Sequence, residues 1–254
     1  MDDREFFIEV DGVRLHAKLD FPREKAEKYP VLILEHGFTG HMEETHIRAV
    51  ARTAADIGFA VLRIELYGHG QSDGEFRDHT ILKWVSEMIG VIDYAEKLDF
   101  ADGLYLAGHS QGGLTTMLVG AIKRDVLKAI IPLAPAVVIR DAAREGGMFG
   151  SSFDAQDVPD EVVMPDGRVL DGEYFRVAQL LPVEEAARRY HGPVLIVHAD
   201  TDEAVPVRYA YEAAELYRDC ELRIIQGDTH CYDHKLDEVC EYVRAFLNRV
   251  RQDK

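Results

Sequence analysis

A mostly parallel α/β sheet covered by helices on both faces is the fold class this sequence predicts, and three observations predict it. Short continuous apolar runs, such as those inside "YPVLILEHG" and "GPVLIVHAD", are the kind that strands take when both their faces are buried. Those runs alternate along the chain with stretches whose apolar residues recur at helical spacing, the order that builds parallel sheets through helical crossovers. The 254 residues, 47% hydrophobic and 30% charged, are enough for one large domain with its own core.

The elements follow in order. "FFIEVDGVRLHAKLDFP" reads as a hairpin, two alternating runs joined by Asp11-Gly12, a two-residue turn signal. "YPVLILEHG" is a buried strand, a helix is expected from about Thr45 to Ile57, and "GFAVLRIEL" is the next strand. "HTILKWVSEMIGVIDYAEKL" has helical spacing, "GLYLAGHS" is a strand, "QGGLTTMLVGAIKR" a helix and "LKAIIPLAP" a strand. Further on come the strand "GPVLIVHAD", the helix "VRYAYEAAELYR", the strand "CELRIIQG" and a closing amphipathic helix, "YDHKLDEVCEYVRAFLNRV". No internal repeat or low-complexity linker interrupts them.

Residues 136–182 break the alternation. They are rich in Gly, Pro and Asp yet carry Met148, Phe149, Phe153, Met164, Tyr174 and Phe175, so disorder is a poor reading. An insertion of this length in a compact domain is expected to be functional, and "DGRVLDG" looks like a small hairpin within it. The expected organisation is a core of residues 1–135 and 183–254 with 136–182 as an inserted cap over the carboxyl edge of the sheet, where open α/β sheets bind ligands.

Composition excludes some partners. A formal net charge of −17 argues against nucleic acid and against an anionic membrane surface. No apolar stretch is long enough to span a bilayer. Cys220, Cys231 and Cys240 are odd in number and show no CxxC spacing, so neither a disulfide framework nor a zinc site is indicated. The charged start "MDDREFFIEVDG" lacks the apolar core of a signal peptide, and a reduced, cytoplasmic protein is the expectation.

The chemistry is carried by four short stretches. "LAGHSQGG" places Ser110 in a G-x-S-x-G pattern with a strand before and a helix after. A serine needs a base to become a nucleophile, and the glycines at 108 and 112 leave room for a strained turn. Taken alone, the pattern also describes a plain glycine-rich turn. "IIQGDTHCY" puts His230 just past a strand, where a base for Ser110 is expected, and "VLIVHADTDEAVP" offers the acid at Asp202, with Asp200 as competitor or turn-capping residue. "LEHGFTG" supplies the backbone N–H of Phe38, which with that of Gln111 would form an oxyanion hole. "YGHGQSDG" has no G-K-[ST] and reads as a structural loop; Ser72 lacks the strand-to-helix setting of a nucleophile.

In this order, Ser110, Asp202 and His230 with "HGF", "GHGQSDG", "GHSQGG" and "HADTDEAVP" resemble the α/β-hydrolase superfamily over nearly the whole chain, with Ala199 where a glycine is usual. "HGFTG", "GHGQSDGEF", "LAGHSQGG", "LAPA" and "GEYFRVAQLLP" are most similar to the bacterial feruloyl or cinnamoyl esterases. The resemblance implies hydrolysis of small hydroxycinnamate esters through an acyl-enzyme, with no metal or organic cofactor. It implies that cap residues bond the substrate's ring hydroxyl, with Asp141 and Tyr174 in those positions; homodimers are common among such enzymes, although the sequence does not give the oligomeric state. "GGMFGSSFDAQ" and "MPDGRVLDG" depart from the family pattern, so a general short-chain carboxylesterase or an acyltransferase remains the alternative. A dehalogenase would carry Asp at position 110, a binding module would have lost a triad member, and a lipase would show a long apolar lid helix.

Overall fold

The computed structural model describes residues 3–148 and 150–252, so Phe149 of the insertion lies outside the described residues. Strands β1 (Arg4–Val10) and β2 (Val13–Asp20) form the antiparallel hairpin. Its turn residues, Asp11 at φ 50° and Gly12 at 81°, are both left-handed, as a tight two-residue hairpin turn demands. β3 (Tyr29–Glu35) then leads to α1 (Thr45–Asp56), β4 (Ala60–Ile64) to α2 (Ile81–Ala95), and β5 (Ala101–His109) to α3 (Gln111–Ile122). After β6 (Leu127–Leu133), residues 136–182 leave the sheet. They hold α4 (Val138–Glu145), the two-residue strands β7 (Gly147–Met148) and β8 (Ser151–Ser152), the hairpin of β9 (Glu161–Val163) with β10 (Val169–Asp171), and α5 (Gly172–Ala178). The chain returns through α6 (Val183–Arg189), β11 (Val194–Ala199), α7 (Arg208–Leu216), β12 (Cys220–Ile225) and α8 (Leu236–Val250).

Eight strands form one sheet in the order β1-β2-β4-β3-β5-β6-β11-β12. Only the β1–β2 and β2–β4 pairings are antiparallel. Alternate residues of the central strands feed two cores, because successive side chains of a strand point to opposite faces. Val31 and Ile33 of β3, Leu104 and Leu106 of β5 and Val194 and Ile196 of β11 pack with Trp84 of α2, Met117 of α3 and Tyr209 of α7. Leu32, Leu34, Tyr105, Ala107, Leu195 and Val197 pack on the other face with Val50 of α1 and Val243 and Phe246 of α8. The expected mostly parallel sheet with helices on both faces is therefore what the chain forms.

Two elements differ from the reading of the sequence. The last helix starts at Leu236, four residues after the start of its expected run, because residues 232–235 are held otherwise. Tyr232 is left-handed at φ 61°, and the buried Asp228 carboxylate accepts the N–H groups of His234 and Lys235 at 3.1 and 2.8 Å. The hairpin read in "DGRVLDG" draws its first strand from residues 161–163 further upstream, and Val169 pairs with Val163 across the Met164–Arg168 turn. Among the described residues no helix is long and apolar enough to cross a membrane.

The β3–β5 boundary positions the site. The chain runs from β3 to β4 on one side and then crosses to β5 on the other, which opens a crevice at the carboxyl ends of both strands. Glu35 pairs with Gly108 there, so the loops beginning at His36 and Ser110 start side by side.

A buried acid behind this edge makes stability depend on pH. Burial pushes the Glu87 carboxyl of α2 up to about 7, although the Tyr67 N–H donates to it at 3.0 Å. The folded chain thus holds a proton that the unfolded chain has lost between about pH 4.5 and 7, and stability falls as pH rises through that window. Glu87→Gln removes the effect. Its stability relative to the parent is expected to grow by about 2–3 kcal/mol between pH 5 and 8, read from urea unfolding at each pH.

Candidate active site

Ser110 stands between β5 and α3 with φ 58° and ψ −116°, a conformation that L-residues adopt only when their surroundings hold them there. Its N–H donates to the Leu133 carbonyl at 2.8 Å, and its carbonyl accepts from Leu114 and Ala136 at 3.0 Å. The flanking glycines are required by space. A Cβ on Gly108 would collide with the Gly112 carbonyl, and one on Gly112 with the His36 carbonyl. Gly112→Ala is expected to cost about 3 kcal/mol or more, because the obstacle is backbone that cannot step aside; thermal unfolding reads it.

α3 begins at Gln111, so the Gln111 N–H belongs to the first turn and has no partner within the helix. The loop after β3 approaches closely: a Cβ on Gly37 would lie 3.1 Å from Ser110 Cβ. Histidines tie down the Phe38 segment. His36 donates Nδ1–H to the Gly37 carbonyl at 2.7 Å while its Nε2 accepts the Leu66 N–H at 3.2 Å, and His69 donates Nε2–H to the Phe38 carbonyl. Burial holds both imidazoles below their usual range, and their contacts with the Gly37, Tyr67 and Phe38 carbonyls fix the rings in place. This is the structural service of "YGHGQSDG". Ser72 serves it too, donating to the Glu65 carbonyl at 2.6 Å and accepting from the His16 N–H at 2.8 Å.

His230 lies in the loop between β12 and α8, and its Nδ1–H donates to Asp202 Oδ2 at 2.7 Å. The other carboxylate oxygen, Oδ1, accepts the N–H groups of Ala204 and Val205 at 2.9 and 2.7 Å. Burial by itself would raise the Asp202 carboxyl; the bonds from His198 and His230 and the His230 charge outweigh it and hold the group well below the usual carboxylate range. Asp200, the competing acid, turns away and accepts the Gly227 N–H at 2.5 Å. His198 opens the "HADTDEAVP" motif that carries Asp202, and the sequence alone assigns it no role of its own. Buried on β11, it donates Nε2–H to the Val205 carbonyl at 2.9 Å and stands 3.2 Å from Asp202 Oδ2.

Ser110, His230, Gly37 and Phe38 line one cleft of about 370 Å³, the size of a small-molecule site. Its outer wall is Met164, Pro165, Asp166 and Arg168 from the β9–β10 turn. Tyr174 of α5 is fully buried beside it, with its ring 5.8 Å from that of Phe38 and its hydroxyl donating to Gln111 Oε1 at 2.6 Å. Gln111 thus offers its backbone to the elbow and its side chain to the insertion. Asp141 is not brought to the cleft. Its carboxylate accepts Arg140 Nε–H at 2.8 Å, because that largely buried guanidinium needs both Asp141 and Glu184 as partners.

Known proteins share this architecture. Est1E from Butyrivibrio proteoclasticus, solved with ferulic acid bound, superposes with a TM-score of 0.95 at 50% identity, covering 97% of this chain and 99% of that one. The family model described as X-Pro dipeptidyl-peptidase (S15 family) matches residues 11–166, more than half of the chain. The chain belongs to this family, a serine-hydrolase branch of the α/β-hydrolase superfamily. The expectation of an α/β-hydrolase serine esterase is borne out. Human palmitoyl-protein thioesterase ABHD10, mitochondrial, is 30% identical over 110 residues, 43% of this chain, and the matched part spans only 34% of that relative. Mouse alpha/beta hydrolase domain-containing protein 10 shares the fold, with a TM-score of 0.78 at 18% identity over 97% of this chain and 99% of that one.

Proposed function

We propose that this α/β-hydrolase is a feruloyl or cinnamoyl esterase that cleaves small hydroxycinnamate esters through an acyl-enzyme on Ser110. The likeness to Est1E carries the reading: half of the residues are identical over nearly the full length of both chains, and that protein holds ferulic acid. In the proposed cycle His230 Nε2 takes the Ser110 proton as Oγ attacks the ester carbonyl. The N–H groups of Phe38 and Gln111 hold the oxyanion. His230 returns the proton to the leaving alcohol, and a water, deprotonated by the same imidazole, releases the acid. Asp202 keeps the His230 proton on Nδ1, with His198 holding Asp202 in place. No cofactor takes part.

Residues 136–182 act in this proposal as a cap over the sheet edge, supported by the β9–β10 turn in the cleft wall and by the Tyr174–Gln111 bond. In this proposal the Tyr174 hydroxyl, buried behind Phe38 with its proton on Gln111 Oε1, accepts a bond from a substrate ring hydroxyl once the ring displaces the side chains that cover it. The same role for Asp141 would require it to leave Arg140. We place the protein in the reducing cytoplasm, on the strength of its three free cysteines, and as a homodimer, to be read by sedimentation.

The test is a panel of methyl ferulate, methyl p-coumarate and chlorogenate against p-nitrophenyl esters of short acyl chains. Hydroxycinnamates are expected to show the higher kcat/KM. Turnover of short acyl esters alone would leave a general carboxylesterase and reject the feruloyl reading.

A further inference from the structure

Beside the cleft, three metal-ligating side chains meet that the proposed chemistry does not use. His46 of α1, His109 at the end of β5 and Cys231 each offer one ligand atom, and these atoms all lie within 4.8 Å of one another. The His46 and His109 rings are 4.2 Å apart between centroids, and both residues are buried. His46 Nε2 is enclosed and has no hydrogen-bond partner among the described residues, which is uncommon for a buried polar atom. A carboxylate stands at the same place: Glu44 Oε2 is 3.9 Å from His46 Nε2, and Glu44 and Cys231 line the same cleft.

The chemistry of this donor set suits a particular kind of ion. Two imidazoles and a thiol favour a borderline-soft divalent cation such as zinc over magnesium or calcium, and a carboxylate or water completes a tetrahedron. His109 gives its Nε2–H to the His230 carbonyl, which leaves the lone pair on its Nδ1.

We propose that His46, His109 and Cys231, with Glu44 alongside, form an inhibitory site for a zinc-type divalent cation. On binding, the Cys231 S–H bond gives its proton to solvent and a sulfur–metal bond forms, with no change of oxidation state. His109 directly precedes Ser110, Cys231 directly follows His230, and His109 Nε2–H donates to the His230 carbonyl at 2.9 Å. A metal that draws His109 and Cys231 together therefore acts on the neighbours of the nucleophile and of the base. Its charge also opposes the imidazolium that His230 must become. Inhibition rests on the proposed ester hydrolysis; metal binding does not.

Two readouts keep these apart. Cobalt(II) added to metal-free protein is expected to give a thiolate-to-cobalt band in the near ultraviolet that saturates at one equivalent and is abolished by zinc. Micromolar zinc is expected to lower methyl ferulate turnover at least tenfold, with EDTA restoring it. Cys231→Ser and His46→Asn, each scored by its own ratio of activity with and without zinc, should lose the band and need at least ~10-fold more zinc for half inhibition. Absence of the band in the parent overturns the site. A band without inhibition, or variants inhibited at the parent's zinc concentration, overturns the inhibitory role. A metal-free parent that turns over no ester counts against the proposed function, while the cobalt band still reads the site.

Discussion

Ser110→Ala is expected to cut kcat for ester hydrolysis by roughly 10⁴- to 10⁶-fold while the protein stays folded. Removal of Oγ leaves the elbow intact, because the bonds that hold this residue run through its backbone: the N–H to Leu133 and the carbonyl to Leu114 and Ala136. Alanine meets the left-handed strain at φ 58° that serine already bears, so the unfolding temperature should move by no more than a few degrees. Labelling by a fluorophosphonate probe should disappear along with the activity. A folded Ser110→Ala protein that retains turnover would remove Ser110 from the mechanism.

Asp202→Asn is the second large effect, a loss of about 10⁴-fold in kcat with KM little changed. The geometry shows why an isosteric change should be so costly. The two N–H groups of Ala204 and Val205 fix which oxygen of residue 202 faces them, so an Asn keeps its carbonyl there and turns its NH₂ toward His230 Nδ1. Two donors then face each other. His230 escapes by moving its proton to Nε2, and in that tautomer it has no lone pair with which to take the Ser110 proton. Asp200→Asn keeps an oxygen for the Gly227 N–H and should stay within a few-fold of the parent. Equal losses in the two variants would sink the proposed role of Asp202.

The order Ser110, Asp202, His230 and the strand before each of them were legible because the signals are local. G-x-S-x-G between a strand and a helix is a backbone requirement, and the structure shows it as collisions of hypothetical Cβ atoms with the Gly112 and His36 carbonyls. Asp202 rather than Asp200 rested on the likeness of "HADTDEAVP" to a family motif, because local spacing alone left both open. The two lie two residues apart in one turn, and which of them faces His230 depends on how β11 sits beside β12. Asp141 shows what a position in a pattern leaves out. Its carboxylate is taken up by the neighbouring Arg140, a charge pairing that the pattern does not encode.

By itself the sequence determined the alternation of strands and helices, its break after β6, the tight hairpin at Asp11-Gly12 and the strained elbow, since each follows from local composition or from patterns a few residues long. Only the tertiary structure decided that the β9–β10 turn walls the cleft, that Tyr174 reaches Gln111 across 63 positions, that His109 donates to His230 across 121, and that His46 and Cys231 meet beside them. The reason is physical. Periodicity and turn chemistry act between neighbours along the chain, whereas these contacts depend on strand order and on the packing of whole elements, which no local pattern encodes.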